Sequence, residues 1–415
     1  MQKTLVALII GATICSTAVA HEIGHEHKHV KDGWTTDAGF VSDVDVKAKL
    51  WNPRGKSQDE INERAEYVAQ FFDAGRTPED RTGDEQIKQR YQDAIVINSL
   101  MPSGVGIQGV TEEKFAEAVE KNRDNGITLI STSVWAFEGV NDVSFEETIQ
   151  KTNKVSEEMD LVRVVRAEDI RRAKAEDKMA IMYNSQGADF VEQDLEKVGW
   201  AKENGIMVMN FTYNNDNALA GGGQSGTNAG VSELGKAFIQ KMNREGVIID
   251  CSHSSNQACI DAANLSTKPV LATHSNAKAL RNHGRSIDDE AIRAIASTEG
   301  AVCSVGVGLF LNEEGTATME DIAEHVDYVG DLVGRDHTCF ASDYSHTYQD
   351  FLKAFIGVVD KYPPEKGFGA PTQNASGGDI WGVARVLEDK YEWSESDIRG
   401  FLGENLMRVY EANWQ

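Results

Sequence analysis

From residue 93 onward, short apolar or β-branched runs recur at intervals long enough to hold a helix: "AIVI", "ITLIST", "MAIMYN", "IMVMNFTY", "VIIDCSH", "PVLATHS", "AVCSVGVG" and "TCFASD". Each is strand-length. Several intervening segments, among them "TEEKFAEAVEKNRDNG" and "DDEAIRAIASTEG", carry the apolar spacing of an amphipathic helix. Strands alternating with helices build a parallel sheet, and eight of them favour closure. The fold read from this pattern is α/β, a (β/α)8 TIM-type barrel over residues 93–415 preceded by a polar extension over 21–92. Within that extension "SQDEINERAEYVAQFFDA" reads as one helix, with Ser57 as cap and Glu60 in the capping-box position.

In such a barrel the polar residues cluster where function is built. Gln186 follows the third run, Tyr213 ends the fourth, His253 the fifth, His274 the sixth and Asp343 the eighth. These are C-terminal strand ends, whose loops form barrel active sites. Adjacent strands lie about 4.8 Å apart, so His253 and His274 at matching heights can share one ion. Zinc accepts imidazole nitrogen at about 2.0–2.1 Å and keeps an open position when catalytic. Spacing alone leaves a second option open, two strand-end histidines satisfied by hydrogen bonds.

Charge narrows the partners. Against 66 acidic residues stand 41 basic ones, a net charge of -25, and no basic patch interrupts the imbalance. A phosphate backbone would be repelled, which excludes nucleic acid. Five cysteines are too few for a disulfide scaffold in a chain able to bury its own core; Cys251 and Cys303 sit in apolar runs and are expected buried, their pairing unassigned. The opening "MQKTLVALIIGATICSTAVA" reads as a secretory signal over residues 1–20, implying a periplasmic or secreted protein. Cys15 follows Ile14, a poor context for acylation. No later run is long enough to span a membrane, so no transmembrane anchor is expected. "HEIGHEHKH", just past the cleavage site, holds four histidines that can bind metal themselves or form a flexible tail.

Two motifs that contain the paired histidines carry a resemblance. "IIDCSHSS" followed by "KPVLATHSNAKALRNHGRSIDDE" resembles the membrane dipeptidase, or renal dipeptidase, family of zinc metallopeptidases. "RAEDIRRAKAEDKMAIMYNSQG", "NFTYNNDNALAGGG", "VSELGKAFIQKMNREGVIID", "ASDYSH" and "LGENLMRV" follow the family's order across roughly residues 93–413. The resemblance implies a (β/α)8 barrel with two zinc ions bridged by a Glu and a water or hydroxide. His253 and His274 match the ligands of the second zinc. Asp343 matches the carboxylate that handles the proton of the attacking water, and Arg285 the residue that takes the substrate's C-terminal carboxylate, a task suited to planar paired donors.

Four positions depart from that pattern. Leu100 and Pro102 stand where the family has the His-x-Asp that binds the first zinc, Gln186 replaces the bridging Glu, and Tyr213 replaces the histidine that polarises the scissile carbonyl. An amide oxygen can ligate a metal but brings no charge to hold two cations together. The expected centre is therefore one zinc at most, on His253 and His274, completed by Gln186, Asp343 and water; Asp343 is ligand or general base. The function expected is a metallo-dipeptidase-like hydrolase of a dipeptide or related small amide. The alternative is a repurposed barrel that performs another reaction on, or merely binds, a small peptide-derived molecule. A homodimer is the assembly the resemblance suggests.

Other features have less specific readings. "AGGGQSGTNAG" has the glycine content of a mobile loop but not the order of a phosphate loop, and is expected to shape the pocket mouth. "NNDN" before it supplies amide contacts or a turn. His346 is a candidate substrate contact, His337 should lie at the opposite face, and Trp135 and Phe137, placed in the loop after the second strand, wall the pocket or simply pack.

Overall fold

The computed structural model describes residues 52–69, 77–101, 103–191, 194–347, 359 and 372–414. The expected signal sequence with Cys15, the histidine-rich start and Pro102 lie outside the described residues.

All eight runs form strands, and a ninth short one joins them. They are β1 (Ile97–Met101), β2 (Leu129–Trp135), β3 (Val162–Arg163), β4 (Ala180–Ser185), β5 (Ile206–Asn210), β6 (Ile248–Asp250), β7 (Leu271–Ala272), β8 (Ala301–Val305) and β9 (Thr338–Ala341). Every pairing is parallel, in the order β1-β2-β4-β5-β6-β7-β8-β9, with β3 alongside β4 off that path. Two residues of β3 leave too little periodicity to be read from sequence. The barrel nearly closes between β1 and β9, where the Ser99 hydroxyl donates to Phe340 O (2.8 Å), Ser342 N to Asn98 Oδ1 (3.0 Å) and Asp343 N to Leu100 O (3.0 Å).

Alternation along the strands separates two apolar layers. Ile249 and Val302 face outward into a cluster shared with the surrounding helices. Ile248, Ala301 and Cys303 join a second cluster that includes Leu406, Tyr410 and Trp414 near the chain end. Helices start where the sequence offers an oxygen: Thr111, Ser144, Ser232, Ser255, Asp288 and Thr318 each accept a backbone N–H from the residue three further on. The helix expected at the start of the extension spans Gln58–Ala69, and Ser57 and Glu60 cap it reciprocally (2.9 and 3.3 Å).

Two helical features were not read from sequence. Pro78–Arg90 forms a helix with Thr77 as cap and Asp80 completing the box. Only Ile87 of that helix is buried, so it lacks an apolar stripe; Arg385 holds it to helix Ile380–Tyr391 by bonds to Asp80 (3.0 Å) and Asp84 (3.2 Å). The chain's last helix is interrupted by a π-helical stretch, Gly400–Glu404, between Glu395–Arg399 and Asn405–Asn413. A side chain on Gly403 would lie 2.5 Å from Ile95 O, which explains the glycine there. Among the described residues no helix is long and apolar enough to cross a membrane.

The cysteine pairing left open by sequence is decided by register. Cys303 and Cys339 face each other on β8 and β9 with Cα atoms 4.1 Å apart and form a disulfide, while Cys251 and Cys259 are buried free thiols. The bond closes a loop of 36 residues in sequence separation. Replacing both cysteines by serine is expected to lower the unfolding free energy by about 2–4 kcal/mol, read as a shift in a urea transition. A transition unmoved by the double substitution would contradict the assignment.

Candidate active site

Three strand ends deliver the central group. His253 and His274, just past β6 and β7, bring their Nε2 atoms to 2.8 Å, and Gln186, just past β4, places Oε1 2.9 Å from His253 Nε2. All three are buried. The chain turns these side chains inward partly through left-handed backbone: φ is +66° at His253, +65° at Asn214 and +48° at Asp343. Asn, Asp and His populate that region more readily than other non-glycine residues.

The outer hydrogen bonds determine which atoms face the centre. Thr273 Oγ1 donates to Asp250 Oδ2, so it can only accept from His274 Nδ1, 2.8 Å away. Asn214 Oδ1 accepts from His253 Nδ1 at 2.8 Å. Gln186 Nε2 donates to the Ser133 hydroxyl (2.8 Å), which itself donates to Asn184 Oδ1 (2.8 Å). With both imidazole protons on Nδ1 and the amide orientation fixed, three lone-pair atoms converge: His253 Nε2, His274 Nε2 and Gln186 Oε1. Burial, then Arg285 and His274, hold His253 well below the usual histidine range; burial and Arg285 do the same to His274. A proton is thus disfavoured between them. Among the described residues the Arg285 guanidinium reaches this centre as a donor, Nη2 lying 3.1 Å from His253 Nε2 and 3.5 Å from His274 O.

The remaining site residues surround this triangle. Tyr213 stacks on the His253 ring (centroids 4.2 Å, 25°) and packs against Phe137 (4.8 Å). Burial, reinforced by Asp343, pushes its phenol pKa up, so it stays protonated. Burial also raises Asp343 to about 7, with Arg285 opposing the shift. His346 packs edge-on against Tyr344 (4.9 Å). Trp135 is the last residue of β2 instead of a loop residue, and it packs on Phe145 (5.0 Å) and Phe190 (5.9 Å), whereas Phe137 reaches Tyr213. His337 precedes β9 and bonds Gly300 O (2.7 Å) through Nδ1. Leu100 is buried in the second apolar cluster.

These donors fit one divalent ion and not two. Neutral imidazoles and an amide oxygen are acceptable ligands for a single zinc. A second ion would need the strand-one donors, and Leu100 has none. Among the described residues no three His, Cys, Asp or Glu side chains gather as a metal cluster. A family model of membrane dipeptidases, peptidase family M19, matches residues 115–356. The chain belongs to the membrane dipeptidase family.

Solved structures extend the likeness. An amidohydrolase from Pseudomonas aeruginosa is 25% identical with a TM-score of 0.70, covering 79% of this chain and 99% of its own. The probable dipeptidase PvdM from Pseudomonas aeruginosa (17%, 0.63; 81% and 99%) shares the fold. So does a metallopeptidase from Rhodobacter sphaeroides liganded with a phosphinate mimic of L-Ala-D-Ala (18%, 0.57; 77% and 100%). The membrane dipeptidase match begins at residue 115, beyond β1, so the departures at Leu100 and Pro102 fall outside it.

The residues that orient the site were the least legible. Asn214 comes from the "NNDN" segment, for which a turn was an equal reading; Thr273, Asp250 and Ser133 were not singled out. The only hint was adjacency, as in Thr273 beside His274. The glycine loop lies against these residues. Gly223 N donates to His253 O (2.7 Å) and Gln224 N to Asn214 O (2.8 Å), and a side chain on Gly223 would sit 2.5 Å from Gly284 O. Close approach, more than mobility, requires these glycines.

Proposed function

We propose that this member of the membrane dipeptidase family hydrolyses a dipeptide or related small amide, using at most one zinc ion held by His253, His274 and Gln186. The observation that carries this reading is the convergence of three lone-pair atoms whose outer atoms are already committed. An ion there would supply Lewis acidity for a water molecule and the amide carbonyl. The chain's own residues do the rest. Asp343, with its carboxyl raised to about 7, is poised to accept a proton near neutrality. Tyr213 keeps its phenolic proton for the carbonyl oxygen, and Arg285 offers paired donors to a C-terminal carboxylate. The disulfide and the signal-like opening support a periplasmic or secreted location.

The test is amino-acid release from a dipeptide panel by purified, zinc-loaded protein. Turnover no greater than that of His253→Ala would end the hydrolase reading. A second reading, a barrel repurposed to bind or otherwise transform a peptide-derived molecule, is favoured by the Arg285 contact to His253, which engages the lone pair a metal would need. Ligand binding that persists in chelator would support it.

Gln186→Glu separates these cases further. A carboxylate 2.9 Å from His253 Nε2 adds charge to the ligand set, so zinc affinity should rise about tenfold or more in competition titration. Unchanged affinity would remove Gln186 from the ligands.

A further inference from the structure

Beside the central triangle, three loops bury polar atoms that find no partner among the described residues. They are His283 Nε2, Gln224 Oε1, Ser254 Oγ and Ser286 Oγ. The residues are 2%, 8%, 6% and 4% exposed, so bulk water does not satisfy them. Buried polar groups are almost always paired, and exceptions gathered in one place call for an explanation.

The loops touch. A side chain on Gly284 would lie 3.0 Å from Gln224 Cγ, one on Gly223 would lie 3.1 Å from Ser254 O, and Ser286 N donates to His283 O at 3.0 Å. Arg285 N donates to His283 Nδ1 (3.0 Å), which leaves the imidazole proton on Nε2 as a donor. Gln224 can present either end of its amide. These unpaired donors and acceptors thus sit on loops that touch one another beside Arg285, and a polar guest reaching them would satisfy them. His283 and Arg285 also share a wall, the Phe310 ring, whose centroid is 4.8 Å from the His283 ring centroid and 5.4 Å from Arg285 Cζ.

We propose that His283 and Gln224 form a specificity subsite for the side chain of the substrate's C-terminal residue, selecting one that bears a carboxamide or carboxylate. This rests on the dipeptidase reading, with Arg285 taking the α-carboxylate of the same residue. The acceptor oxygen of such a side chain accepts a hydrogen bond from His283 Nε2–H, and Gln224 matches whichever group remains. An apolar side chain leaves both unpaired.

Calorimetric binding of three phosphinate dipeptide mimics, Ala-Ala, Ala-Asn and Ala-Asp, to the zinc-loaded full chain tests this. The polar mimics should bind roughly tenfold more tightly than the Ala-Ala mimic. That ratio should fall toward one in His283→Phe and, independently, in Gln224→Met; the second variant serves if the first does not fold. A ratio distorts little from general structural damage, which affects all three probes. Equal affinities in the wild type, the result if ordered water already satisfies these atoms, or a ratio that survives both substitutions, overturns the subsite and leaves the hydrolase reading standing. No binding by any mimic overturns both.

Discussion

Replacing His253 and His274 together by alanine should remove the bound metal and reduce dipeptide hydrolysis by about a thousandfold or more. The two Nε2 atoms lie 2.8 Å apart with their Nδ1 atoms held by Asn214 and Thr273. Without both imidazoles, Gln186 is the sole member of the triangle, and one neutral oxygen cannot retain a divalent ion. Elemental analysis is best done on protein lacking residues 21–29, because the histidines of "HEIGHEHKH" can bind metal themselves. Near one equivalent of zinc in the wild type and none in the double variant is the expected pair of results. Metal retained by the double variant would place it elsewhere. A metal-free wild type, after exposure to micromolar free zinc, would mean that the histidines serve only each other and Arg285, and would favour the ligand-binding reading.

Asp343→Asn should lower kcat by about 10²- to 10⁴-fold, if the carboxylate is the general base. Its carboxyl sits at about 7 because burial disfavours the charge more than Arg285 favours it. The wild-type rate should therefore rise with pH through about 7, and the residual rate of the variant should lose that rise. Stability moves the opposite way. The folded state keeps the proton between the ordinary value of 3.8 and about 7, where the unfolded chain has released it. Stability present in acid is thus lost as pH climbs across that window. Because Asp343 is only partly enclosed, the loss is discounted to about 1–2 kcal/mol. In metal-free protein, urea unfolding at pH 4.5 and 7.5 should show this decline in wild type and a smaller one in Asp343→Asn. Parallel declines would assign the pH dependence to other groups.

What could be read in advance follows from range. An apolar run such as "VIIDC" or a cap such as Ser255 declares its element because the physics acts within a few residues: strand period, helix period and an oxygen for the first N–H groups. Eight repeats of that pattern then imply the barrel, and the barrel places His253, His274, Gln186, Tyr213 and Asp343 at one end. The short β3 and the helix Pro78–Arg90 escaped because neither carries a periodic apolar stripe.

The sequence by itself thus determined the strand–helix alternation, the capped helices, and an apolar Leu100 at the end of the first strand, where no side-chain metal donor stands. Only the tertiary structure decided which lone pairs face inward. That depends on Thr273 reaching Asp250 on the neighbouring strand, on Asn214 reaching His253 across a glycine loop, and on Ser133 turning the Gln186 amide. Register alone paired Cys303 with Cys339, and loop packing alone left His283 Nε2 without a partner among the described residues. Hydrogen bonds take their direction from partners brought close in space, and partners tens of residues away in sequence leave no local pattern to read.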